Sequence, residues 1–162
     1  MTEAIFGLIG VVVGGLLTAG MTWLMARRAE QASLRTGARL ARSEIYESMR
    51  VIQEWLGLNH VFPEWWEEPT TWHEQRGVLA ARLPADAWKL VDGAFARLRY
   101  VTVSMNDLAK ADPDQAWNKA EMSDESQRRW ETHLAALTAA AGVLATAEGT
   151  DTSDMPTGGY FR

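Results

Sequence analysis

Between His60 and Glu74 imidazoles, carboxylates and aromatic rings cluster around one loop. His60, Glu64, Glu67, Glu68, His73 and Glu74 are imidazoles and carboxylates, the donor types that hold a divalent ion. Acidic loops are ordinarily solvated, however, and the three histidines of the chain, His60, His73 and His133, are too scattered for their spacing to define a site. The same stretch carries Phe62, Trp65, Trp66 and Trp72 between Pro63 and Pro69. Aromatic side chains are enriched at the energetic centres of protein interfaces. This makes Phe62, Trp65, Trp66 and Trp72 the candidate partner-binding residues. Two other roles stay open for them: capping the end of a helical bundle, and contact with membrane or ligand.

Other constellations are missing. No phosphate-cradling G-x-x-x-x-G-K-[ST] loop, G-x-G-x-x-G turn or G-x-S-x-G elbow occurs. His73-Glu74 lacks the second histidine of a zincin helix. Asp112, Asp114, Asn118 and Glu121 are only superficially like a calcium loop, because the central glycine is missing and the twelfth position is Ser123. With no cysteine there is neither a disulfide framework nor a thiolate metal site. The reading is therefore of a non-enzymatic chain with no catalytic residues, no metal and no cofactor.

The elements that must position the aromatic stretch begin with residues 4–26, AIFGLIGVVVGGLLTAGMTWLMA. This run carries no charged side chain and stops at Arg27-Arg28, long enough to cross a bilayer as one helix. A cleaved signal peptide fits poorly: no Lys or Arg precedes the run, and no A-x-A site ends it. Arg27, Arg28, Arg35, Arg39 and Arg42 follow with only Glu30 against them. Cytoplasmic flanks carry the excess of Lys and Arg, so the amino terminus is expected outside and the remainder in the cytoplasm, at the plasma membrane. Those arginines act as topology determinants, with contact to anionic lipid as the alternative. Within the run Gly7, Gly10, Gly14, Thr18 and Thr22 share one face, and Gly10 to Gly14 is a G-x-x-x-G element. Small residues at this spacing let helices approach closely in lipid. Gly7, Gly10, Gly14 and Thr18 are thus candidates for membrane self-association into a homo-oligomer.

Charge is distributed unevenly. Residues 27–50 hold six basic and three acidic side chains, whereas residues 51–162 hold ten and seventeen. An anionic leaflet would attract the first segment and repel the second. Nucleic acid is disfavoured as a partner, since phosphate binding needs a concentrated basic surface.

The soluble part reads as helices. Leu34, Ala38, Ala41, Ile45, Met49, Ile52 and Leu56 form one stripe, continuous with the apolar run because no proline intervenes, and Gly37 is its soft point. Thr71 and Glu74 have capping-box spacing, and Trp72, Gln75, Leu79 and Leu83 follow on one face. Pro84 opens the next helix, with Trp88, Val91, Phe95, Leu98, Thr102, Met105 and Leu108 as its stripe. Tyr100 to Val103 is valine-rich but lies inside that period, so it reads as helix. Trp117 and Met122 lie in a polar connection whose state the pattern leaves open. Ser123 or Asp124 caps a last helix carrying Gln127, Trp130, Leu134, Leu137, Ala141 and Leu144, with Gly149 as its stop. The tail from Thr150 is small, polar and disordered by composition.

The expected fold is all-α: a single N-terminal transmembrane helix followed by an antiparallel, left-handed four-helix bundle. Residues 1–28 form the anchor, 29–149 the cytoplasmic bundle and 150–162 the tail. The Arg-Arg stop, ARLARSEIYESM and LAARLPADAWKLVDGAFARL resemble small uncharacterised single-pass membrane proteins of high-GC Gram-positive bacteria and their phages. That resemblance implies no activity and no functional residue. The expected function is a membrane-anchored interaction or scaffold module whose protein partner is unknown. The alternative is an envelope-side accessory or phage-encoded exclusion or lysis factor of reversed topology, which the arginine flank disfavours.

Overall fold

The computed structural model describes residues 2–111 and 122–149, with side chains from residue 13 onward except at 64, 109 and 111. Four α-helices are described: α1 (Thr2–Leu58), α2 (Thr71–Arg82), α3 (Ala85–Ala111) and α4 (Asp124–Glu148), with a 3-10 turn at Pro63–Trp65. No strand occurs among the described residues, and the valine-rich stretch in α3 is helical. The connection containing Trp117 and the calcium-like spacing, like the tail 150–162, lies outside the described residues.

The chain runs up, down, up and down. Glu44 meets Thr71, Gly37 meets Gln75 and Glu30 meets Arg82, so α2 descends along α1. Trp72 stacks on Phe95 and Arg76 bonds Asp92, so α3 climbs beside α2. Trp55 meets Trp130 and Arg42 pairs with Glu148, so α4 descends along α1. The most extensive interface is that of α1 with α4, followed by α4 with α3 and α2 with α1.

The apolar stripes are what the bundle buries. Ala38, Ala41, Ile45 and Ile52 of α1 are fully buried, as are Leu79, Val91, Leu137, Ala141 and Leu144. Trp55, fully buried, is the largest core side chain and lies beside the α1 stripe rather than on it. Helix α1 touches both α2 and α4, so its buried face is wider than a single stripe. Leu108, at the end of the α3 stripe, is exposed.

Helix ends follow local chemistry in four places and distant chemistry in one. Asn59 ends α1 in the left-handed region at φ 51. His60 N–H returns to Trp55 O and Asn59 N–H to Leu56 O, the paired bonds of a Schellman end with asparagine in place of glycine. Ser123 caps α4 by accepting from Ser126 N–H, and Gly149 stops it at φ 81. Pro84 precedes α3, its carbonyl accepting from Trp88 N–H at 2.8 Å. The capping box expected at Thr71 is absent. Thr71 is the first residue of α2, Thr70 makes no side-chain cap, and the Thr71 N–H donates instead to the Glu44 carboxylate of α1. A carboxylate there satisfies an orphan donor and meets the positive end of the helix dipole.

Helix α1 is 57 residues long, and its two parts differ sharply. From Leu34 onward one face is packed; from Val13 to Ser33 every side chain is exposed. Leu16 is 69 % exposed, Trp23 61 % and Met25 63 %, although all are apolar. Thr18 and Thr22 donate to the carbonyls of Gly14 and Thr18, each at 2.9 Å, so their hydroxyls are satisfied within the helix. A Cβ added at Gly14, Gly15 or Gly20 would meet nothing within 4 Å. Gly7 and Gly10 lie outside the residues with described side chains. Among the described residues no helix is long and apolar enough to cross a membrane. The structure thus shows the all-helical bundle, while the span rests on the sequence.

Candidate functional site

The aromatic stretch occupies the end of the bundle remote from the apolar part of α1. After Asn59 the chain crosses this end, pinned by Met122 N–H donating to Asn59 O at 3.2 Å. Met122, left open by the sequence pattern, is buried here. The 3-10 turn closes through Trp65 N–H to Phe62 O and Trp66 N–H to Pro63 O, both at 3.1 Å.

The four candidate aromatics divide into two pairs. Trp72 is 9 % exposed and stacks on Phe95 at 4.1 Å and on Trp88 at 5.5 Å. Trp66 leans on Trp55 at 5.8 Å, and its Nε1–H donates to Thr102 Oγ1 at 2.9 Å. The Thr102 hydroxyl in turn donates to Leu98 O, so this buried hydroxyl of α3 is fully used. These two indoles belong to the packing of the bundle end. Phe62, half-buried and packed against the core, stacks on Trp65 at 4.2 Å, with His60 against Phe62 at 5.0 Å. Trp65 is 41 % exposed, so this stack presents an indole to the outside.

Beside Trp65 lies a cleft of about 200 Å³. Glu44, Glu47, Glu67 and Glu68 line it together with the indoles of Trp65 and Trp66. Arg50 also lines it, bonding both Glu47 and Glu54, the latter at 2.7 Å. The hydrogen bond from Arg50 holds the Glu47 carboxyl below its ordinary range. Glu44 Oε2 is enclosed with no hydrogen-bond partner, while its other oxygen caps α2. Carboxylates beside an indole face suit a cationic group on an apolar stem.

Two further hollows open on the bundle. One of about 100 Å³ between α2 and α3 has Trp72, His73, Arg76 and Arg99 on its walls. Another of about 250 Å³ between α3 and α4 is lined by Tyr100, Met105, Trp130 and His133 among others. His133 Nδ1 has no hydrogen-bond partner there. Burial lowers its pKa below the ordinary value of 6.5, assisted by the charges of Arg97 and Arg129. Among the described residues no group of three or more His, Asp or Glu side chains could hold a metal ion.

Sequence patterning singled out the loop but not its inner partners. Trp55, Trp130 and Thr102 shape this end from helices far along the chain, and no local spacing signals that meeting. Comparison with protein-family models, with curated proteins and with solved structures finds no match to the chain.

Proposed function

We propose that the chain is a membrane-anchored helical interaction module, non-enzymatic, that presents the far end of its bundle to a protein partner in the cytoplasm. The observation that carries this reading is the two-part character of α1. One continuous helix leaves a packed bundle and, beyond Arg27, continues as an apolar rod whose side chains are exposed from Ala26 back to Val13. Leaving that many apolar side chains in water is costly, at about 25 cal/mol for each Å². A bilayer removes that cost, and residues 4–26 contain no charge along their whole length. The threonine hydroxyls bonded back into the helix are compatible with a medium that offers no water.

Orientation comes from the arginines that follow the run, which favour the cytoplasmic side. The aromatic loop then stands away from the bilayer. From residue 26 to Leu58 the helix rises about 48 Å. At that distance Phe62 and Trp65, with the acidic cleft beside them, are placed to meet a soluble protein rather than lipid.

A reporter fused after Arg162 tests the orientation. A cytoplasmic reporter should be active and an exported-type reporter silent. The opposite pattern would move the bundle to the envelope side. Extraction of membranes at alkaline pH should leave the full chain in the pellet, and its release to the supernatant would sink the anchor.

A further inference from the structure

Resting on the anchor reading, we infer that one face of α1, formed by Arg28, Arg35 and Arg39, is a contact surface for the headgroups of anionic phospholipid. These residues are seven and four apart, so they share one side of the helix. All three are exposed, and none makes an ion pair among the described residues.

Several arginines of the bundle are paired instead. Arg42 pairs with Glu148 at 2.8 Å, Arg76 with Asp92 at 3.1 Å and Arg129 with Glu125 at 3.2 Å. The one acid within the arginine segment, Glu30, is itself taken by Arg82 of α2 at 2.9 Å. Packing of α2 therefore removes the local counter-charge and leaves the face next to the apolar rod positive. Exposed arginines without partners adjoining an apolar helix match the chemistry of an anionic leaflet.

Geometry brings them within reach. Side chains on a helix lean toward its amino terminus, which on α1 is toward the apolar run. Counted from residue 26, Arg28 rises about 3 Å and Arg35 about 14 Å along the axis. The headgroup layer is roughly 5–8 Å thick on each side. Screening extends electrostatic attraction by about a further 8 Å at physiological salt. Arg28 thus sits in the layer, and Arg35 lies beyond it but within the screening distance. A lean of α1 toward this face, within the ~20° typical of single helices, lowers Arg39 toward it as well.

The test uses the full chain reconstituted into symmetric phosphatidylcholine vesicles, with and without phosphatidylglycerol, where insertion direction does not matter. Spin-labelled phosphatidylglycerol and phosphatidylcholine report the fraction of each lipid held at the protein. The expected result is a preference for phosphatidylglycerol of roughly fivefold or more, weakened by high salt. In Arg28→Gln/Arg35→Gln/Arg39→Gln the two lipids should be held equally, with the bundle's melting temperature unchanged. Arg97→Gln/Arg99→Gln should keep the preference. Equal retention of the two lipids by the unaltered chain, or a preference that survives the triple substitution, overturns the proposal. Absence of any held lipid overturns the anchor reading, and the proposal with it.

Discussion

At the residue scale, the aromatic side chains separate into those that hold the bundle and those that face outward. Trp66 is held by a hydrogen bond to Thr102, whereas the buried Trp55 has an indole N–H with no partner. The two indoles should therefore respond differently to phenylalanine. Trp66→Phe removes a donor and leaves the Thr102 oxygen short of one, which should cost about 1 kcal/mol or more. Trp55→Phe removes an unsatisfied donor, which offsets part of its lost volume. Trp55→Ala, by contrast, should cost roughly 3–5 kcal/mol. Chemical denaturation of the three variants checks the costs, and a neutral Trp66→Phe would show that its bond to Thr102 adds nothing to stability. At the exposed indole, Trp65→Ala should keep the melting temperature within a few degrees and lose a partner that co-purifies from native membranes. A collapse in melting temperature instead would make Trp65 structural as well. His133 supplies the pH dependence. Its folded pKa is depressed, so the unfolded chain takes up the proton first as pH falls. The stability tied to the neutral imidazole is complete above 6.5 and is lost as pH drops from there through the lowered folded value. A melting-temperature profile for His133→Gln should be flatter than wild type over that window; an identical profile would exclude His133 as its source.

At the scale of elements, the stripes were legible because burial imposes the helical period. Ile45, Ile52, Val91, Leu98, Leu137 and Leu144 are fully buried or nearly so, at positions the period marks. What the period does not encode is how many neighbours a helix has. Helix α1 meets α2 on one side and α4 on the other, and this draws Trp55 into the core from beside the stripe. Gly37 shows the same limit. As a lone glycine it reads as a soft point, but α2 passes so close that an added Cβ would meet Gln75 Oε1 at 3.0 Å. The cap of α2 is the clearest case. Local spacing offers Thr71 and Glu74, while the acceptor in the structure is Glu44, 27 residues away on α1. Glu44→Ala should then cost about 0.5–2 kcal/mol, as the loss of an N-cap does, and speed amide exchange at Thr71. Glu74→Ala should be close to neutral. A larger loss for Glu74→Ala would restore the capping box.

At the scale of the whole molecule, charge and apolarity both run along one axis. The rod and the unpaired arginines lie at one end, and the acidic cleft with Trp65 lies at the other. The resolution of this polarity was legible in composition, since residues 27–50 are net basic and residues 51–162 net acidic. The division of labour it implies can be tested by cutting the helix. Packing begins at Leu34, and the Glu30–Arg82 pair marks the lower edge of the bundle. Every side chain from Val13 to Ala26 is exposed, so this part of α1 adds little to the packing of α2, α3 or α4. A chain beginning at Arg27 should therefore keep the helical signal of the bundle and melt within a few degrees of the full chain in the same detergent. It should remain in solution without detergent and no longer sediment with phosphatidylcholine vesicles. Loss of folding on removal of residues 1–26 would mean that the rod is part of the folding unit. Continued firm association with phosphatidylcholine vesicles would move the membrane contact from the rod to the bundle, and the exposed Trp65 end would then be its first candidate.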